Sequence, residues 1–283
     1  MTTGEPMDLA GFTTLHVDIR GGVAHVVLDN PPVNALGATT MRELHELLGS
    51  LRDDLSVRVI VFSSANEEFF LAHVDLHILE GMDQLRGIAA SNPEVNVFQA
   101  TGELLRHQPQ ISIVKLAGVA RAGGAEFVAA ADMAFAAKET ARIGQPESLM
   151  GILPGGGGTQ YLRERVGRNR ALELLLGAEL LDAERAAAYG WINRAVPAAD
   201  LDVFVETLAT DIAALGPEII AQAKRVVPPA DLVAGLREEN DAWSALVNTE
   251  ATAKLMSGAL ERGIQTPEGE RDLEGLMRAI AAG

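Results

Sequence analysis

Three short apolar runs constrain the fold of this chain more than any other feature. Val57–Phe62 reads VRVIVF and is typical of a buried strand, and Ile111–Leu116 and Met133–Ala137 read as two more strands. Helical patterning separates them, over Glu94–His107 before the second run and over Gly123–Ala131 before the third. Ahead of this alternation, Leu15–Arg20 and Val23–Asp29 flank Gly21-Gly22 as a hairpin that ends at Pro31-Pro32. A helix follows, capped by Thr39 or Thr40 and running to about Asp53, with Met41, Leu44, Leu47, Leu48 and Leu51 on one face. After Gly155 the character changes. Segments opening at Thr159, Arg168, Asp182, Asp200, Pro217, Asp231 and Thr249 carry helical periodicity, and only Trp191–Val196 is strand-like. Strands early and helices late predict a mixed α/β core over residues 1–200 and a helical region over 201–283.

Composition narrows the chemistry. With 283 residues, 48% of them hydrophobic, the chain can bury a sizeable core. It has no cysteine, which removes disulfides, thiolate metal sites and cysteine nucleophiles. A net charge of −16 repels polyanions at long range and argues against a nucleic-acid partner. It leaves room for one phosphorylated ligand held by a few local cations or backbone N–H groups. The segment Met1–Phe12 carries no secretory signal pattern, and no run approaches the roughly 20 apolar residues of a membrane span. The expectation is a cytoplasmic protein without a membrane partner. Phosphate-binding G-x-x-x-x-G-K-[ST], dinucleotide-binding G-x-G-x-x-G after a strand, G-x-S-x-G and H-E-x-x-H patterns do not occur. His73-Val74-Asp75-Leu76-His77 would put two histidines on one face if helical, but no second cluster supplies further ligands, and no metal is expected.

Two segments carry chemistry. One is Phe69–Leu76, FFLAHVDL; the other runs from Ala117 to Gly158. In the second, a strand leads through Gly123-Gly124 into a helix. There backbone N–H groups can approach a ligand and the helix dipole favours negative charge. Glu126 lies in the first turn of that helix, where an acid is also ordinary charge placement. Glu147 follows Gln145-Pro146, and on spacing alone it could be a solvated loop carboxylate.

Taken together, these segments resemble the crotonase (enoyl-CoA hydratase/isomerase) superfamily, and its hydratases in particular. Gly123 and Glu126 match the family's Gly-rich turn with a glutamate three residues later, and Ile143-Gly144-Gln145-Pro146-Glu147 matches its F-G-x-P-E segment. The Leu153–Gln160 continuation, the Asn30–Leu36 turn and Leu181–Val196 fit in order, so the similarity runs from about Leu15 to about Val227. The resemblance implies a spiral of ββα units and a C-terminal helical trimerisation region in a homotrimer or homohexamer. It also implies an acyl-CoA substrate, with an enoyl-CoA hydrated across its 2,3-double bond. The thioester oxygen would sit in an oxyanion hole made by the N–H groups of Val74 and Gly123, with Glu126 and Glu147 as acid and base. Val33, Ala35, Ala72, Asp75, Leu76, His77 and Gly124 fall at substrate-binding positions of the pattern, and Leu76–Phe98 is expected to shape the acyl pocket. Coenzyme A enters only as part of the substrate, and no cofactor is required.

Several residues depart from the pattern. His73-Val74-Asp75 stands where the family has G-A-D, and Arg121-Ala122 replaces an apolar residue and a third glycine. A cleft-wall histidine and an arginine reaching solvent are the bland readings; altered substrate or chemistry is the other. His77 stands where many relatives have a lysine near the coenzyme A phosphates, and Lys254 and Arg262 are substitute candidates. Another crotonase chemistry (an isomerase, a β-dicarbonyl hydrolase or a decarboxylase) and a non-catalytic binding protein on the same scaffold are the alternatives.

Overall fold

The computed structural model describes residues 11–282, apart from the side chains of Leu79 and Ala89. Most of the Met1–Phe12 segment discussed above therefore lies outside the described residues, as does Gly283. Among the described residues ten strands form in chain order: β1 (Leu15–Arg20), β2 (Val23–Leu28), β3 (Val59–Ser64), β4 (Phe69–Leu71), β5 (Ile111–Leu116), β6 (Val119–Arg121), β7 (Met133–Ala137), β8 (Arg142–Gly144), β9 (Leu181–Asp182) and β10 (Arg194–Val196). One sheet is ordered β1-β2-β3-β5-β7-β10 and the other β4-β6-β8-β9.

That order is a spiral. Each turn of chain lays one strand in the larger sheet, the next in the smaller, and then returns through helix: β3 then β4, β5 then β6, β7 then β8. The repeated strands run parallel, with Val59 opposite Ile111 and Ile113 opposite Met133 in the larger sheet, and Phe69 opposite Val119 in the smaller. Parallel strands need a covered sheet. Helix Ala198–Ala213 supplies part of that cover, packing on β2, β3, β5 and β7 through buried Leu201, Val205, Ala209 and Ala213 at a spacing of four. The 200/201 division drawn from the sequence therefore falls inside a helix that belongs to the core.

Helix Ala38–Arg52 buries Met41, Leu44, Leu47, Leu48 and Leu51 as its pattern predicts. Its N-cap, however, is Gly37, without a side-chain cap; Thr39 and Thr40 lie inside its first turn. Thr40 is buried there, so its face is needed for packing rather than capping. Helix Val97–Arg106 begins with a full capping box: Asn96 accepts from the N–H groups of Phe98 and Gln99, and the Gln99 side chain returns to Asn96 N. Both capping side chains also reach helix Val233–Val247, Asn96 at Asn240 and Gln99 at Leu236 and Glu239. The C-terminal helices then fold back over the segment after Glu147. Met150 and Ile152 form a second core with Ala259, Ile264, Leu273 and Met277 of the same chain.

Candidate active site

Adjacent parallel strands bring the two glycine-rich segments together. β4 and β6 are neighbours, so residues 72–74 and 121–123 leave the smaller sheet side by side. Val74 forms a one-residue parallel bridge with Leu36, using Leu36 N to His73 O at 2.7 Å and Asp75 N to Leu36 O at 3.2 Å. The N–H of Val74 is thereby turned away from Leu36. The Cβ position built on Gly123 lies 3.5 Å from Val74 N and would overlap a Val74 methyl group, so only glycine fits. Gly123 opens helix Gly123–Ala130, where a first-turn N–H has no intrahelical acceptor. The backbones of two distant segments thus meet in one small space.

Ala122, between Arg121 and Gly123, has φ 47° and ψ −123°, a conformation that suits glycine. Its Cβ strains a turn that sets the direction of the Gly123 N–H. Ala122→Gly should therefore stabilise the protein by about 1 kcal/mol. Chemical denaturation checks this, and an unchanged or lower midpoint would show that the turn is not strained.

Glu126, in the first turn of the same helix, is buried, and its Oε1 accepts from the N–H groups of Gly156 and Gly158, each at 2.9 Å. Side chains at either glycine would collide with that carboxylate, which explains why the turn before helix Gly158–Val166 carries so many glycines. The intervening amides go elsewhere. Gly157 N and Thr159 N donate to Glu239, at 2.6 and 2.8 Å, and Glu239 also receives Thr159 Oγ1 and Gln99 Nε2. Alternate amides of one helix N-terminus thus hold two carboxylates. Glu147 is buried as well, and orienting the Gln145 amide nitrogen towards it satisfies both groups, at 2.8 and 3.0 Å.

Burial raises the proton affinity of all three acids, and repulsion from a neighbouring carboxylate adds to it for Glu126 and Glu147. Glu126 is pushed up to about 8 by burial and by the Glu239 charge, against its two backbone N–H bonds. Glu147 is raised well above the carboxylate range by burial and by Glu126. Glu239 is raised by burial, while its donors pull the other way. Glu43 shows the opposite balance. It is also buried, yet four bonds from the backbone and hydroxyls of Thr13 and Thr14 outweigh desolvation and hold it below its usual value. Burial alone does not fix the direction in which a carboxyl titrates; the donors around it can reverse it.

A cavity of about 170 Å³ opens over Val74, Gly123, Glu126 and Glu147. Its far wall is apolar and includes Phe98, Met150 and, from the C-terminal helices of the same chain, Trp243, Met256 and Leu273. His73, Asp75 and Leu76 also line it, as does Ile78 from the 76–98 segment. The other substrate-binding candidates lie elsewhere. Val33, Ala35 and Ala72 form a separate small core with Phe69, and Gly124 lets the helix pass against the Leu71 carbonyl. His77 is exposed and pairs with Asp75 at 3.3 Å. Lys254 pairs with Glu250 on an exposed helix face.

Of the departures from the family pattern, His73 and Arg121 are both buried. Arg121 is fully buried and bound bidentately by Glu274, and His73 is bound by Glu270. The 73–77 segment is not helical, so His73 and His77 do not share a helix face. No group of three or more histidines and acids able to hold a metal ion occurs among the described residues. No helix among them is long and apolar enough to cross a membrane. Sequence reasoning missed Glu239, Trp243, Glu270 and Glu274. All lie in the helical region, in amphipathic patterns where a buried acid looks like any other surface charge.

Comparisons with known proteins show the family and the fold. The family model for enoyl-CoA hydratase/isomerase matches residues 18–262. The short-chain-enoyl-CoA hydratase of Clostridium acetobutylicum is 30% identical over 247 residues, covering 86% of this chain and 93% of that protein. Carnitinyl-CoA dehydratase of Proteus mirabilis is 33% identical over 215 residues, 75% of this chain and 79% of that one. Among solved structures, a candidate enoyl-CoA hydratase from Streptomyces avermitilis superposes with a TM-score of 0.94 at 64% identity, over 96% of this chain and all of the other.

Proposed function

The chain belongs to the enoyl-CoA hydratase/isomerase family, and on that premise we propose that it hydrates short enoyl-CoA thioesters across the 2,3-double bond. One observation supports this reading: two buried carboxyls, both raised in proton affinity, line the same cavity as Val74 and Gly123. The thioester oxygen lies between Val74 N–H and Gly123 N–H. As water attacks Cβ, negative charge collects on that oxygen, and each preplaced donor is worth about 3–4 kcal/mol to such a transition state. Glu126 takes the proton of the attacking water. Its Oε1 is occupied by the two glycine N–H groups, so Oε2 is the oxygen that does so. Glu147, whose proton affinity burial and the Glu126 charge also raise, delivers a proton to Cα as the enolate collapses. One proton leaves water, one reaches carbon, and the pair of acids keeps its total. Only this chain's own groups are needed, with coenzyme A as part of the substrate.

The size of the cavity favours a short acyl group. A dry cavity of about 150 Å³ holds one benzene, so about 170 Å³ takes a thioester carbonyl and a chain of a few carbons. The name of the Clostridium relative points the same way. Trp243 closes the apolar end, packed between Phe98 and Gly155. Trp243→Ala should lower kcat/KM for crotonyl-CoA and raise the ratio of octenoyl-CoA to crotonyl-CoA turnover by about tenfold. An unchanged ratio would mean that the acyl chain runs elsewhere. The family reading also makes a homotrimer or homohexamer in the cytoplasm the expected assembly. Exposed Ile219, Val226 and Val227, in and just after helix Pro217–Val226, supply apolar surface for it, and sedimentation reads the mass.

Crotonyl-CoA hydration, followed by loss of the enoyl absorbance, tests the assignment. Undetectable hydration by the wild type together with turnover of a β-dicarbonyl or malonyl thioester would replace it with another reaction of the same family.

A further inference from the structure

We propose that the chain's own C-terminal helices Pro267–Glu270 and Leu273–Ala282 set the geometry of the oxyanion site, with Glu270 and Glu274 as positioning residues acting through His73 and Arg121. The proposal rests on the reading of Val74 and Gly123 as oxyanion donors. His73 directly precedes Val74, and Arg121 stands two residues before Gly123. Each arm of the site therefore carries one buried basic side chain next to its donor, and both basic groups are answered by the same pair of short helices.

The contacts bear on the donor peptides themselves. His73 Nδ1 lies 2.7 Å from the Val74 carbonyl, which can only accept, so that nitrogen donates. Its Nε2 lies 2.9 Å from Glu270 Oε1. The ring thus ties the carbonyl of the donor residue to a carboxylate on the C-terminal segment, while Leu36 holds the preceding peptide plane from the other side. Burial opposes a charge on the ring, but the Glu270 carboxylate and the Val74 carbonyl outweigh it, and His73 is raised in proton affinity while Glu270 is lowered. On the second arm, Arg121 gives Nε and Nη2 to Glu274 at 2.7 and 3.0 Å, and its Nη1 faces Glu270 Oε2 at 3.7 Å. Two cations and two carboxylates form one buried cluster that spans both arms. Gln265 adds a third tie, accepting from Leu76 N with its side chain and donating its own N–H to Glu270 Oε1.

The cluster accounts for the histidine and the arginine departures at once. A buried histidine or arginine alone would be costly, and each is matched by an acid that the helical region places against it. It also explains how Ala122 is kept in a conformation its side chain disfavours. The residue before it is anchored by a two-point bond, so the turn has little freedom to relax and swing the Gly123 N–H out of line. Donor placement matters steeply, since a shift of about 1 Å can cost up to about a hundredfold in rate.

The test compares full-length wild type with Glu270→Gln and Glu274→Gln, and reads the bound carbonyl as well as turnover. Butyryl-CoA labelled with ¹³C at the thioester carbon is unreactive in hydration, and its infrared carbonyl band moves to lower frequency when two donors polarise it. In the folded variants part of that shift should disappear, and kcat for crotonyl-CoA should fall about ten- to a hundredfold with KM nearly unchanged. If Glu274→Gln fails to fold, Glu274→Asp keeps the charge but loses the two-point reach, and its band should lie closer to that of free thioester. Folded variants with the wild-type band and wild-type kcat would reduce the cluster to an anchor for the helices and overturn the proposal. A wild-type band that does not move at all would instead remove the oxyanion reading on which it rests.

Discussion

Glu126→Gln should lower kcat for crotonyl-CoA hydration by about 10²–10⁴-fold and leave the protein folded. The amide can still accept the N–H groups of Gly156 and Gly158 through its oxygen, so the cradle survives while the base is lost. Stability should change in an informative direction. The proton affinity of Glu126 is raised in the folded chain, to about 8, from about 4.3 unfolded. Such a group contributes stability fully below its unfolded pKa and loses that contribution as pH rises through its folded value. The wild type should therefore weaken between about pH 4.5 and 8, by up to about 1.4 kcal/mol per pH unit from this group. The glutamine variant should be flatter across the same window. For activity the sign is reversed, because the base must be ionised: kcat/KM should rise with pH towards a limb near 8. Denaturation at three pH values and a pH–rate profile check both. A variant with more than a tenth of wild-type activity would remove Glu126 from the chemistry.

Much of the scaffold was legible from the sequence because its inner strands are long enough to show a pattern. Ile111–Leu116 and Met133–Ala137 emerge at their observed bounds, as does the Leu15–Arg20 strand of the hairpin. The smaller sheet was hidden for a physical reason: β4, β6 and β8 have three residues each and β9 has two, too few for any periodicity. They are held by neighbouring chain and by glycines that let it approach, as Gly118 does beside the Glu68 carbonyl. The site divides in the same way. Gly123, Glu126 and Glu147 lie in ordered motifs and could be read one by one. Arg121 could not, because its solvent reading follows from composition while its burial depends on an acid more than 150 residues later. On spacing alone Glu147 reads as a loop carboxylate, and its burial depends on a one-turn helix, Glu147–Met150, and on the C-terminal core.

Glu239 is where that long-range enclosure meets the chemistry. It is buried, which raises its proton affinity, while its four contacts (Gly157 N, Thr159 N, Thr159 Oγ1 and Gln99 Nε2) are all donors that pull the other way. Glu239→Ala would strip those buried donors of their acceptor at about 1–3 kcal/mol for each donor left unpaired, so a loss of roughly 3 kcal/mol or more is expected. The Gly156–Thr159 turn would loosen with it, and because the same turn gives its alternate amides to Glu126, activity should fall as well. Glu239→Gln separates the two effects. It fills the space but removes the charge that helps push Glu126 up, so the rising limb of kcat/KM should move to lower pH than in the wild type. Relative to wild type, the variant should then look better at pH 6 than at pH 8, whatever its absolute rate. A limb that stays in place while stability falls would make Glu239 a brace for the glycine turn without electrical influence on the base. A limb that moves would show a third carboxylate, outside the reacting pair, setting the pH range over which the pair works.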